Sequence, residues 1–324
     1  MNILFSCDSH YVYPLSVCMT SVFENNKMNN VCVYLLHSGL SNTEEKVLLD
    51  LAAQYRQTIH LIYVDAHYFA DAPALRWSKE TYYRLLINEL LPSDCARLLY
   101  LDVDIIVNKP LGDLYDMDLE GHCIAALHEK GDDQMMRLRL GLSANGFYYQ
   151  SGVLLFDVQK TKNILSYEKS MGIIRDLGAN LIAVDQDVIN VMFDGKIKAI
   201  DKKFNNMEIT RFHDSGWQRL FNRTNKKEIE STCIFHYALS KPWNNLFSGS
   251  CEDLWYHYLA LSPYKDLYEK KFNTFTYKLL RTGLVKTLFY AYIDITPFVN
   301  NLSQKVFSPR LYSNLKQFYR RHIK

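Results

Sequence analysis

Residues 97–107, Arg97-Leu98-Leu99-Tyr100-Leu101-Asp102-Val103-Asp104-Ile105-Ile106-Val107, are an apolar run with two carboxylates set in its middle. A stretch this rich in Leu, Ile and Val reads as a strand buried on both faces of a sheet. Two unpaired carboxylates in such a core are very costly. The aspartates therefore point to a divalent cation or to a strand end that opens to water. In extended chain, residues two apart face the same side, so Asp102 and Asp104 are expected to present their carboxylates together. The pattern alone is weak, because Asp-x-Asp recurs at Asp116/Asp118 and Asp185/Asp187. Its surroundings have to decide.

On either side of this stretch, strand-like and helix-like patterns alternate, the signature of a sheet covered by crossover helices. Asn2 to Cys7 reads as a strand ending at Asp8, Tyr13 to Asn25 as a helix, and Val31 to His37 as a strand. Ser41 and Glu44 have capping-box spacing, ahead of a helix whose buried face carries Val47, Leu48, Leu51, Ala52 and Tyr55. Ile59 to Val64 reads as a strand and Thr81 to Leu90 as a helix. Further strands are expected in residues 123–130 and 147–157, helices over Thr161 to Leu177 and Gln186 to Met192, and a strand entering a turn in residues 233–243. Residues 129–146 have three glycines, mixed charge and no clean period, which predicts a long loop, either one that closes over a donor and helps shape an acceptor site or ordinary surface disorder.

The 324 residues, 48% of them apolar, suffice for a substantial core. Net charge is +2 but unevenly spread. Residues 265–324 hold 12 Lys/Arg against 3 Asp/Glu, leaving 25 against 32 before them, so the body carries −7 and the tail +9. The tail interleaves its charge with aromatics such as Phe272, Phe289, Tyr292 and Phe318. It suits an anionic membrane surface, and equally a helical cap packed on the body; without a recognition motif, nucleic acid is not expected. The change of charge balance sets a boundary at Ser262-Pro263, giving a catalytic domain over 1–262 and a basic, mainly helical region over 263–324. Seven dispersed cysteines with no C-x-x-C pair favour free thiols and a cytoplasmic setting. The start, MNILFSCDSH, does not read as a secretory signal. Lys286, Asp294 and Pro297 break the longest apolar stretch of the tail short of the ~20 residues a span needs. Any membrane contact is therefore expected to be peripheral.

In open α/β sheets, ligands bind outside the carboxyl ends of strands, so Asp8 and Asp102 are expected around one crevice. Hard oxygen ligands favour Mg2+ or Mn2+, which usually keep positions open for substrate phosphates. In the stretch Phe235-His236-Tyr237-Ala238-Leu239-Ser240-Lys241-Pro242-Trp243, an imidazole at His236 would complete the shell of Mn2+ more readily than that of Mg2+. Lys241 would neutralise a phosphate oxygen. Taken alone, His236 reads more readily as a hydrogen-bonded core histidine than as a ligand.

Together these residues carry a resemblance. FSCDSHY at 5–11, TYYRL at 81–85, LYLDVDIIV at 99–107, YYQSGVLLFD at 148–157, DQDVIN at 185–190 and HYALSKPW at 236–243 fall in the order seen in glycosyltransferase family 8. The resemblance covers roughly residues 1–245. It implies the Rossmann-like GT-A fold, α/β with a mixed, mostly parallel central sheet, and a UDP-hexose donor. It implies Mn2+, or Mg2+, held by Asp102, Asp104 and His236. Asp8 and Tyr11 would hold the nucleoside, while Arg84, Asp102, Val103, Gln150 and Ser151 would contact the donor and Lys241 would grip the diphosphate. Asp185 and Gln186 would line the sugar site as the catalytic pair, with Gln186 near the anomeric carbon. The acceptor would be a saccharide, a lipid-linked saccharide or a protein glycan.

The sequence departs from the family at several points. His10 stands where relatives often have Asn, and Gln150-Ser151-Gly152 replaces Asn-Ala/Ser-Gly. His128 replaces the Asp of related galactosyltransferases, and the spacing of His236 and Lys241 is one residue short. Two other readings stay open: an aspartyl phosphatase, whose aspartates usually lie at the first strand followed by Thr or Gly, and a non-catalytic nucleotide-sugar binder.

Overall fold

The computed structural model describes residues 1–129, 131, 133–144, 146–210, 226–238, 241–243 and 251–269. Most of the basic tail, residues 270–324, lies outside them, and so does the bulk of the region expected at 263–324. The chain divides into two compact units, Met1–Asn205 with Thr232–Phe235, and Asn206–Ser231 with His236–Lys324.

The first unit is built on seven strands: β1 (Asn2–Cys7), β2 (Cys32–His37), β3 (Thr58–Tyr63), β4 (Arg97–Leu101), β6 (Ile124–His128), β7 (Tyr149–Asp157) and β8 (Ile197–Ala199). Their order across the sheet is β3-β2-β1-β4-β7-β6-β8. All pairings are parallel except those of β7, which runs against both β4 and β6. Alternation along the strands serves two cores. Ile3, Phe5, Leu99 and Leu101 pack on one side of the sheet, with Leu15, Met19 and Val22 of α1 (Val12–Asn25) and Leu48 and Leu51 of α2 (Asn42–Gln54). Leu4, Leu98, Tyr100 and Leu154 pack on the other, with Met171 and Ile174 from a helix that follows β7 and Val188 and Ile189 from the next. Burial on both faces is why these strands read as unbroken apolar runs. The capping box forms: Ser41 Oγ accepts from the Glu44 amide while the Glu44 carboxylate accepts from the Ser41 amide.

The structure departs from the sequence reading at five places. The run 97–107 is two strands, because β4 stops at Leu101 and β5 (Ile105–Val107) pairs with β9 (Ile234–His236) in a separate sheet. The last β4–β7 bond is Asp102 N to Gly152 O at 2.9 Å. Beyond the turn, Ser21 Oγ and Asn25 Nδ2 of α1 bond the Val107 backbone, so α1 supplies what a neighbouring strand would have. Thr81–Leu90 is a 3-10 segment, Lys79–Leu86, leading into a short α3 (Ile87–Leu90). The Thr81 hydroxyl and the Arg84 guanidinium bond carbonyls three residues back, and Thr-Tyr-Tyr gives little helical propensity to resist.

After α4 (Gly112–Tyr115), residues 129–146 contain α5 (Asp133–Leu140), not only loop; its Arg139 is anchored by an ion pair to Asp187. The expected helix Thr161–Leu177 breaks into α6 (Val158–Thr161) and α7 (Tyr167–Leu177), since Ser166 caps α7 by accepting from the Lys169 amide. The three-residue β8 carries too little pattern to be read in advance. The helix predicted over 186–192 is α8 (Val184–Met192).

In the second unit, Trp255 of a helix over Glu252–Leu261 packs between Tyr237 and Trp243, with ring centroids 5.8 and 4.6 Å away. The Tyr237 hydroxyl donates to Cys251 O at 2.7 Å. All seven cysteines are free, as expected. Among the described residues no helix is long and apolar enough to cross a membrane.

Candidate active site

The carboxyl ends of β1, β4 and β6 lie along one edge of the sheet. Because β7 is antiparallel to its neighbours, its first residues, Tyr149 to Ser151, join that edge rather than the opposite one. Asp8 follows β1, and its buried Oδ1 has no hydrogen-bond partner; the exposed His10 ring stands 3.7 Å away. Tyr11, at the end of the 3-10 turn Ser9–Tyr11, is exposed. An orphaned buried acceptor beside an exposed ring is a place where a ligand N–H would be satisfied.

Asp102, Val103 and Asp104 form the turn between β4 and β5. Arg84, 4% exposed, holds this turn to its neighbours. Its Nη2 donates to Asp102 Oδ1 at 2.9 Å, its Nη1 to Ser151 O at 2.6 Å, and its Nε pairs with Asp185 Oδ2 at 3.3 Å. The guanidinium lies 3.9 Å from the centre of the Tyr100 ring, and the Tyr100 hydroxyl donates to Asp102 Oδ1 at 2.7 Å. Tyr100 therefore acts inside the site although it reads from sequence as plain core. Burial pushes the Asp185 carboxyl up to about 6, against the opposing pull of Arg84 and with Asp102 adding to the rise. A raised value means that Asp185 favours the fold at low pH and withdraws that contribution as pH rises through about 6.

Four polar residues of α8 each make a different connection. Asp185 meets Arg84. Gln186 Oε1 accepts from Ser151 N at 3.2 Å while its Nε2 donates to Glu129 Oε2 at 3.2 Å. Asn190 bonds both backbone groups of Tyr149, at 2.7 and 2.8 Å, and so pins the start of β7. Asp187, fully buried, takes both ends of the Arg139 guanidinium at 2.7 and 2.8 Å, the Tyr148 hydroxyl at 2.6 Å and the amides of Ile182 and Ala183. The helix starts at Val184, a β-branched residue with φ of +34°, a strained backbone directly ahead of Asp185 and Gln186. Sequence reasoning missed Glu129, Asp187 and Asn190; only the recurrence of acid and amide in DQDVIN hinted at the last two.

Burial pushes the Asp187 carboxyl up, but Arg139, the Ala183 amide, Tyr148 and the Ile182 amide outweigh it and hold the group below the ordinary range. A depressed value gives stability above the unfolded pKa of about 4 and loses it as pH falls through the folded value. Asp187→Asn is therefore expected to cost about 3–5 kcal/mol at pH 7, since it leaves Arg139 unpaired. In thermal melts the gap between wild type and variant should narrow steadily from pH 5 to pH 2.5; a constant gap would remove Asp187 as its source.

Asp102 and Asp104 each offer a carboxylate oxygen, the two within 4.8 Å of one another, and His236, the last residue of β9, offers a ring nitrogen. Two hard oxygen donors and one imidazole suit Mn2+, and less well Mg2+. Both Asp104 and His236 are buried. The donor set thus fits the ion that the resemblance implies. Lys241 belongs to the second unit, its ammonium 5.9 Å from the Trp243 ring. Val103 is partly buried on the apolar side of its turn, and the Gln150 side chain bonds the Glu129 carboxylate.

A family model described as Glycosyl transferase family 8 matches residues 2–246. Similar proteins include the lipopolysaccharide 1,2-glucosyltransferase of Escherichia coli K12, 27% identical over 274 residues covering 82% of this chain and 79% of that one. Another is the lipopolysaccharide 1,3-galactosyltransferase of Salmonella typhimurium, 22% identical, with 81% of each chain covered. Among solved structures, the galactosyltransferase LgtC in complex with donor and acceptor sugar analogues superposes with a TM-score of 0.68 at 23% identity, covering 81% of this chain and 96% of that one. The mixed, mostly parallel seven-stranded sheet is thus the GT-A fold that the sequence motifs imply.

Proposed function

We propose, on the premise that the chain belongs to glycosyltransferase family 8, that it transfers a hexose, glucose or galactose, from a UDP-sugar to a saccharide or glycolipid acceptor, leaving an α linkage. The observation that carries the reading is the meeting of Asp102, Arg84, Ser151, Asp185 and Gln186 in the first unit, where β4 ends and β7 begins, with Asp104 in the same turn as Asp102. Asp102, Asp104 and His236 would hold Mn2+, which when bound offsets the charge that develops on a departing diphosphate.

The remaining roles fall to the chain itself. Asp8, with its orphaned oxygen, would accept the uracil N–H, and Tyr11 would cover the nucleoside. Arg84 fixes the Asp102 carboxylate and the Ser151 carbonyl, so the turn and the start of β7 move as one piece. Val103, Gln150 and Ser151 would line the donor, and Lys241 would neutralise a diphosphate oxygen. In the reaction the bond from the anomeric carbon to UDP breaks and the acceptor oxygen bonds that carbon from the same face. The acceptor proton goes to the departing diphosphate oxygen. Gln186, a neutral amide, would stabilise the oxocarbenium-like transition state beside it, without forming the carboxylate adduct of a double displacement. Asp185 keeps Arg84 in place beneath it.

The net +9 of residues 265–324 fits an anionic, cytoplasmic membrane face and hence a lipid-linked acceptor. A panel of UDP-sugars with Mn2+, assayed for slow donor hydrolysis, is expected to yield one preferred hexose. Adding anionic vesicles with extracted glycolipid should raise turnover at low salt and lose that gain at high salt. If no UDP-sugar is consumed, the functional reading fails; release of phosphate from simple monoesters would favour the phosphatase instead.

A further inference from the structure

The two ends of a glutamine amide match in shape and are opposite in hydrogen bonding, so neighbours must set its orientation. At Gln186, Oε1 faces Ser151, accepting from its amide at 3.2 Å and its hydroxyl at 3.5 Å, and Nε2 faces the Glu129 carboxylate at 3.2 Å. An ionised carboxylate can only accept, so Glu129 admits one amide orientation and rejects the other. Its backbone is fixed, since Glu129 N donates to Tyr148 O at 2.8 Å where β6 meets β7. Gln150 also bonds this carboxylate, so one group orients the amides of both glutamines, one at the start of β7 and one on α8.

Glu129 is half-buried and, among the described residues, makes no ion pair; burial raises its carboxyl above the ordinary value and the two glutamines pull it back. A partly desolvated carboxylate held by amides alone costs stability, and an apolar side chain would serve packing better. We infer that Glu129 is a positioning residue, holding the Gln186 amide so that Oε1 rather than Nε2 is turned toward Ser151 and the donor sugar. The inference rests on the proposed reaction for its consequence, though not for its geometry.

The test pairs Glu129→Met, which removes the acceptor, with Glu129→Gln, which keeps one. With the preferred UDP-sugar and Mn2+, Glu129→Met is expected to lower kcat of both transfer and donor hydrolysis about 10²-fold, the scale of a misplacement near 1 Å. The donor KM should stay within about 3-fold, and Glu129→Gln should recover most of the loss. Melting temperatures give a readout independent of activity: Gln186→Glu sets two carboxylates face to face and should lower Tm, and adding Glu129→Gln should restore it. A kcat for Glu129→Met within about 3-fold of wild type, or additive shifts in Tm, overturns the inference. Should Glu129→Met not fold, the kcat of Glu129→Gln and the reciprocal pair decide. Wild-type protein that consumes no UDP-sugar overturns the functional reading instead, while restoration of Tm by the pair still upholds the contact.

Discussion

Asp104→Ala is expected to abolish metal-dependent transfer while leaving the fold intact. An ion that stabilises a leaving diphosphate is worth several kcal/mol. At about 1.4 kcal/mol per factor of ten, its loss lowers kcat/KM on the order of 10³-fold. Asp104 is the better probe of the pair. Asp102 also accepts from Arg84 and Tyr100, so its removal would disturb the buried guanidinium as well as the ion. Without the ion, Asp102 and Asp104 carry like charge within 4.8 Å of each other, and the alanine variant relieves that repulsion. Mn2+ titration followed by electron paramagnetic resonance reads the site directly. Undiminished Mn2+ affinity, or full activity at low Mn2+, would sink the assignment of Asp104 as a ligand.

The second large effect is expected at Arg84. Arg84→Met keeps much of the side-chain volume but leaves Asp102 and Asp185 without their shared cation, with Asp185 only 5% exposed. Removing one partner of a buried pair typically costs about 3–5 kcal/mol. The penalty should depend on pH with a definite sign. Asp185 already sits at about 6 with Arg84 present, and without that cation it rises further. At pH 5 the carboxyl is protonated and the variant is penalised least; as pH rises to 8 it must ionise unpaired and the penalty grows. Urea denaturation at several pH values measures this directly. A penalty that shrinks as pH rises would mean that Asp185 is not the group left exposed to the loss.

Much of the frame was legible in the residues. The unbroken apolar runs at β1, β2, β4 and β7 are strands buried on both faces, and Ser41 with Glu44 is the capping box that their spacing announces. The pairing of Asp102 with Asp104 was legible as chemistry, but for a reason that needed revision. Extended chain would set them on one face, whereas the structure places them in a turn between strands of two different sheets. The apolar run was the sum of two strands, and composition carries no sign of which sheet a strand joins. Helix breaks were legible only where a cap marks them, and Ser166 was overlooked inside a longer apolar period.

What the sequence determined by itself is local: alternation, caps, and which residue types are too costly to bury without a partner. Those terms depend on neighbours a few positions away, so they survive without knowledge of the fold. The tertiary structure alone decided who those partners are. Asp102, Arg84, Asp185 and Ser151 come from separate elements, and Glu129 meets Gln186 across 57 positions. Such contacts follow from strand order, above all from the single antiparallel strand β7, whose reversal brings Gln150 and Ser151 to the edge where β1, β4 and β6 end.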